Sequence, residues 1–373
     1  MVTDIYNSDV TTTAIMEDQS YEVLNSVLSD AISWLWENQK DITWSDYDTN
    51  ADGRLDSVHF IGNSGNVEWS TPLWPHMSQI SSQAGTSDRP TVRTFMFSST
   101  FFLSESFTSI HEQGHIFGLE DYYDYSYLTS PLGRADMQDE TIFDWNSFSK
   151  MVTGWITPYV IDGKKDTTTL TINPASLSGD CILIPSPDSW NGSAYDEYIL
   201  LELFTRCGNN DDFWDDYCQF RTLGFGGIRM YHVDARLWGF NDDMFDNGVI
   251  KEGEIVDDIS DYEYENYFVG TNNSYNKIDY GGYIDALKNF NLIQIIQAGG
   301  ENSFGAVELD GEYHRHSLTK EDLFETGDVF TMDDYSDFFY NKTTLDDGSE
   351  FPYTISFDSV TAESATITFS IER

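Results

Sequence analysis

The chain has 373 residues, with 64 acidic side chains against 19 basic ones and a formal net charge of -45. That balance argues against nucleic acid and anionic membrane as partners, since both are bound by clustered Lys and Arg that replace displaced counterions. With 40% hydrophobic and 15% aromatic residues, the chain has the apolar surface that a disordered polymer lacks, and its length suits one large domain or two packed ones.

The start, MVTDIYNSDV, has neither a basic n-region nor an apolar h-region, so any leader or pro-segment is expected to lie outside this chain. No run of about 18 apolar residues occurs, so membrane insertion is not expected. Leu24, Val27, Leu28, Ala31, Ile32 and Leu35 recur at helical spacing and predict an amphipathic helix with one buried face. An acidic turn follows, then a strand over DSVHFIG, a Gly/Ser-rich connection and a β-prone segment, TVRTFMFS. Next comes SIHEQGHIFGLEDYYDY, which holds two of the seven histidines.

A helix is predicted within TIFDWNSFSKMVTGWITP, ended by Gly154 and Pro158. Strands then take over: TTTLTI, CILIP, YILLELFT, GIRMYHV, LIQIIQA, and YTISFDSVTAESATITFSI as a terminal hairpin. The stretch from Trp238 to Tyr283 is too long for a simple connector. This order predicts an α+β protein with a boundary near residue 160, residues 161–373 forming a β-rich, sandwich-like domain. Cys181, Cys207 and Cys218 form no C-x-x-C pair, so a Cys-based zinc site is not expected. Cys207 and Cys218 suit either a local bridge or buried thiols.

His111 and His115 stand four apart, which on a helix puts both imidazoles on one face, able to share one cation. A Zn²⁺ held by two neutral imidazoles and one further ligand keeps a position open for water and lowers that water's pKa towards about 7. Glu112 projects about 100° round the helix from His111, so it addresses the water rather than the ion, as a general base must. Gly118 lets the helix stop in a left-handed turn and the chain fold back. Asp121 then comes into range as a hard oxygen ligand, with Glu120 and Asp124 as alternatives. The string reads H-E-x-x-H-x-x-G-x-x-D; the competing reading is a surface helix whose histidines hydrogen-bond locally.

The HEQGHIFGLEDYYD stretch resembles the zinc-binding signature of immune inhibitor A-type secreted metallopeptidases, a metzincin-like group of zincins. DYDTNADGRLDSV, PLGRADMQ, SFSKMVTGWITP, YILLELF, GFGGIRMYHVD and a terminal hairpin fall in the same order as in that family. The resemblance implies a zincin-like catalytic domain over residues 1–160, a β-rich domain over 161–373 packed on it, and a secreted or cell-surface zinc endopeptidase. Met137, in ADMQ, would match the family's Met-turn, an apolar floor beneath the zinc; apart from the resemblance it reads as a core methionine. Asp139 stands where some metzincins keep a tyrosine, which leaves Tyr122, Tyr123 and His232 as candidates for oxyanion stabilisation. Family members tend to carry Pro where this chain has Glu120.

Asp48, Asn50, Asp52 and Asp56, with Gly53 at the sharp turn, match the first nine positions of a calcium loop; His59 takes the place of its bidentate Glu. A plain Asp-Gly turn is the alternative. The expected function is therefore zinc-dependent hydrolysis of peptide bonds by a monomer, with Ca²⁺ as a second cofactor. The protein or peptide substrate would add as a strand beside the one near Phe97 or the one near Phe60. The competing expectations are a calcium-stabilised surface-binding module on a non-catalytic zincin scaffold, and a zinc hydrolase acting on a glycan or an ester.

Overall fold

A computed structural model describes residues 5–18, 20–65, 67–68, 71–80, 83–102, 106–125, 129–214, 223–239, 267–272, 291–305, 307–309 and 312–371. They form a mixed α and β protein with several separate sheets and, among the described residues, no closed barrel, in keeping with the α+β class. Contacts divide the chain into two compact units, Met1–Leu119 and Glu120–Arg373.

The first unit contains α1 (Thr12–Glu17), α2 (Glu22–Asn38), β1 (Val58–Gly62), β2 (His76–Gln79), β3 (Thr94–Ser99) and α3 (Ser106–Ile116). Its sheet has the order β1-β3-β2, with β3 parallel to β1 and antiparallel to β2. The predicted amphipathic helix is α2, which buries Leu24, Leu28 and Ile32 in a core shared with Trp44, Leu55, Phe95 and Phe97. Because β3 lies in the middle of the sheet, the strand carrying Phe97 has no free edge; this corrects one of the two expected substrate strands. Among the described residues the outer strands of this sheet are β1 and β2, the latter a four-residue strand, HMSQ, with too few apolar side chains to show a two-residue period.

The second unit opens with α4 (Met137–Glu140), α5 (Ser147–Val152), β4 (Tyr159–Val160), β5 (Thr167–Ile172), α6 (Ala175–Ser178), β6 (Cys181–Pro185) and β7 (Glu197–Thr205). It continues with α7 (Asp211–Trp214), β8 (Gly226–Asp234), β9 (Trp238–Gly239), β10 (Tyr267–Phe268) and β11 (Ile293–Ile296). It closes with β12 (Val307–Leu309), β13 (Glu312–His314), β14 (Val329–Phe330), β15 (Tyr353–Val360) and β16 (Ala365–Ile371). A five-stranded sheet, β11-β8-β7-β6-β4, and a four-stranded one, β14-β15-β16-β5, carry its main body. Ile184, Leu201 and Met230 of the first sheet share one apolar core with Ile355, Phe357, Ile367 and Phe369 of the second. The alternation in the terminal hairpin sets this register, pairing Phe357 with Ile367 across β15 and β16.

The helix expected within residues 141–158 and ended by Gly154 is α5, which begins only at Ser147. Thr141 and Phe143 have φ of 59° and 63°, outside the helical region, and Asn146 caps α5 through its side-chain oxygen on Ser149 N–H at 2.9 Å. Composition turns strand-rich near residue 160, but contacts divide the chain at Leu119–Glu120, because residues 120–160 are bonded into the later strands. Arg229 Nη1 donates to Ala135 O at 2.7 Å and Ser147 N–H to Glu202 Oε2 at 2.9 Å. Cys181 and Cys207 are free thiols, while Cys218 and most of the Trp238–Tyr283 stretch lie outside the described residues. No described helix is long and apolar enough to cross a membrane.

Candidate metal centre

The centre is built on α3. His111 is buried and His115 half-buried, their rings 4.8 Å apart and nearly perpendicular, with the two Nε2 atoms 3.2 Å from each other. His115 Nδ1 lies 2.8 Å from the carbonyl of Leu119. A carbonyl only accepts, so Nδ1 carries the proton and the Nε2 lone pair is directed at His111, the orientation a metal-binding imidazole takes from its outer partner.

The helix ends where that bond requires. Gly118 has φ of +86°, its N–H donates to His115 O at 3.0 Å, and Leu119 N–H donates to Gly114 O at 3.0 Å. This pair of bonds is a Schellman turn, which needs a left-handed residue at the glycine position. The same turn carries the chain on to Asp121, a few residues further along. One ligand atom each from His111, His115 and Asp121 lie within 4.8 Å of one another. The two alternatives do not join them: Glu120 is exposed, and Asp124 turns its Oδ2 to Thr129 N–H and Oγ1 at 3.2 and 3.3 Å.

Tyr125 donates its hydroxyl to Asp121 Oδ2. Burial and the neighbouring carboxylate push the Tyr125 phenol well above its ordinary range, so it stays a donor. Sequence reasoning did not single out Tyr125; only its i+4 relation to Asp121 could have suggested it.

Glu112 is half-buried, and its Oε2 accepts the backbone N–H of Met77 in β2 at 2.6 Å. Ile80 N–H bonds inward to Arg93 O, whereas Met77 N–H points away from β3. By the two-residue period, Met77 and Gln79 therefore present their backbone groups to the free edge.

Met137 is buried at the start of α4. Tyr122 N–H donates to Gln138 O at 2.8 Å, which ties this turn to the residue after Asp121. Of the oxyanion candidates, Tyr122 is fully buried with its hydroxyl 2.8 Å from Ser149 Oγ, and His232 is buried 2.8 Å from Glu197. Tyr123 is half-buried, its ring 5.1 Å from that of Tyr125. Asp139 is buried and accepts Arg134 N–H at 2.8 Å.

In the predicted calcium loop the oxygens face backbone donors. Asp48 accepts Asp52 N–H at 2.9 Å and Gly53 N–H at 3.0 Å, Asn50 accepts Asp52 N–H at 3.2 Å, and Asp56 accepts Thr49 N–H at 3.2 Å. Among the described residues, Asp48, Asp52 and Asp56 do not form a three-ligand cluster.

No protein-family model matches the chain, and no curated protein matches it.

Proposed function

We propose that the protein is a zincin-type zinc endopeptidase, secreted or at the cell surface, with His111, His115 and Asp121 as ligands and Glu112 as general base. The observation that supports this most is the convergence of those three ligand atoms within 4.8 Å, with the His115 tautomer set by Leu119. Two imidazole nitrogens and one carboxylate oxygen are a donor set that suits zinc and leaves a position open. When bound, Zn²⁺ supplies the Lewis acid that polarises the scissile carbonyl and brings the pKa of a water towards about 7.

The chain's own groups do the rest. Glu112 takes the proton from the attacking water at its carboxylate and returns it to the departing amine. Gln79 offers its outward N–H and C=O groups, and Met77 its outward C=O, to an extended peptide, which adds to the edge of β2 as one more strand. Met137 is the proposed apolar floor. Ca²⁺ at the Asp48 loop is a proposal from sequence spacing, and a rise in melting temperature on adding Ca²⁺ tests it.

Metal analysis together with a casein-cleavage assay tests the main reading. One zinc per chain at this centre and cleavage abolished by Glu112→Ala are expected; cleavage retained by that variant refutes it. Intact casein and no bound zinc would favour a non-catalytic binding module.

A further inference from the structure

A second convergence of ligands lies inside the β-rich unit. One ligand atom each from Glu197, His232 and Asp346 fall within 4.8 Å of one another. Glu197 opens β7, His232 lies on the paired strand β8, and Asp346 belongs to the turn whose ends, Thr344 and Glu350, are bridged. All three side chains are almost wholly enclosed, Glu197 at 0% and the other two at 1% exposure.

Two features show that the cluster is incomplete as a set of hydrogen bonds. Asp346 Oδ1 is buried and has no hydrogen-bond partner among the described residues, and its Oδ2 is 4.0 Å from His232 Nε2, too far for a bond. A buried, unpaired carboxylate oxygen is costly unless a cation meets it. Carboxyls also outnumber cations there: among the described residues Glu197, Asp234 and Asp346 meet one guanidinium, that of Arg236, whose Nη2 is 3.7 Å from Glu197 and bonded to Asp234.

We propose that Glu197, His232 and Asp346 form a second, buried site for a divalent cation of the zinc class, which pins the 344–350 turn to β7 and β8. The ion takes the place of the proton that His232 Nε2 shares with Glu197 Oε1, where the two atoms are 2.8 Å apart. Tetrahedral ligands about 2.0–2.1 Å from the ion need a separation of about 3.3 Å, so a small adjustment suffices. The backbone N–H groups of Asp346 and Asp347 already hold Glu197, at 2.5 and 2.7 Å, and fix it towards the turn.

Gln294 is the outer partner. Its Nε2 lies 3.3 Å from His232 Nδ1 and donates to Phe338 O at 2.9 Å, which suits the metal-free state with the proton on Nε2. On loading, the proton sits on Nδ1 instead, and the amide must turn its oxygen to meet it. The turned amide gives up its bond to Phe338 O and the one it accepts from Asn291 Nδ2, and accepts from His232 Nδ1–H instead; His232 stays neutral, so no proton is gained or lost overall.

The test uses the full chain, stripped by a chelator, dialysed and reloaded with Zn²⁺. Wild type should take up two equivalents, His111→Ala/His115→Ala one, and the same protein with Asp346→Asn added less than about a tenth of one. Asp346→Asn alone should lose one equivalent relative to wild type and show a smaller zinc-dependent rise in melting temperature, while melting like wild type in chelator. Failure of the first centre would lower the wild-type count and leave the equivalent that depends on Asp346, so the two proposals are separable. A folded His111→Ala/His115→Ala protein that binds no Zn²⁺, or one that keeps its equivalent after Asp346→Asn, overturns the second site.

Discussion

The backbone N–H of Met77 donates to Glu112 Oε2 at 2.6 Å, which ties the edge strand β2 to the helix that carries the two histidines. The proposed base and the proposed substrate edge are thereby held in one register. Met77→Pro removes this donor without breaking the ladder to β3, because the lost N–H faces outward and edge strands accept proline there. A hydrogen bond to a charged group contributes about 1.5–3 kcal/mol, so peptide hydrolysis should fall roughly tenfold or more. An unchanged rate, in a variant whose melting temperature matches wild type, would show that the bond does not position Glu112.

Gly118 and Gly53 both have positive φ, +86° and +78°, but they stand in different surroundings. A Cβ at Gly118 would meet nothing within 4 Å, whereas one at Gly53 would lie 2.5 Å from the carbonyl oxygen of Gly85. Gly118→Ala should therefore cost only the left-handed conformation, about 1–2 kcal/mol. Gly53→Ala adds a backbone clash of about 1–3 kcal/mol. Denaturant melts of the two variants should rank Gly53→Ala lower, and the reverse order would contradict the packing around the Asp48 loop. Gly118→Ala should also weaken zinc binding, since the Leu119 carbonyl that orients His115 sits on that turn.

Glu202 is fully buried and accepts from Arg229 Nε at 2.8 Å, Tyr231 Oη at 2.8 Å and Ser147 N–H at 2.9 Å. Its charged partner Arg229 holds the carboxyl below its ordinary range against the opposing effect of burial. Removing one member of such a pair leaves the other charge stranded, at about 3–5 kcal/mol. Glu202→Ala should destabilise the β-rich unit by that amount. Asp211→Ala, which breaks the exposed pair with Arg206, should cost less than about 1 kcal/mol. Equal losses in urea denaturation would contradict this.

Local patterns were legible in the sequence, and long-range convergence was not. The spacing of His111 and His115 and the glycine after them are properties of one helix and its end, and the structure has the rings facing each other above a left-handed turn. The core positions of α2 and the alternation of β15 and β16 follow from periodicity in the same way. β2 escaped because four mostly polar residues carry no period, although it supplies the edge next to Glu112. Glu197, His232 and Asp346 escaped because strand pairing and a distant turn bring them together. In the Asp48 loop the spacing was visible, but not that the carboxylates turn onto backbone N–H groups.

Burial, with Glu140 next, pushes Asp139 up to about 7, and burial pushes Asp136 up to about 6. An unfolded Asp titrates near about 3.9. Between those values the folded chain binds more protons than the unfolded one, so this contribution to stability is full below about pH 4 and is lost as pH rises through about 7. For Asp139 the upper bound is about 4 kcal/mol at about 1.36 kcal/mol per pH unit. Asn is the neutral isostere, keeps an oxygen for Arg134 N–H and cannot ionise. Wild type, melted in chelator, should lose several degrees more between pH 5 and pH 8 than Asp139→Asn does. A variant with the same pH slope as wild type, or a steeper one, would mean that Asp139 is ionised throughout and that burial does not hold its proton.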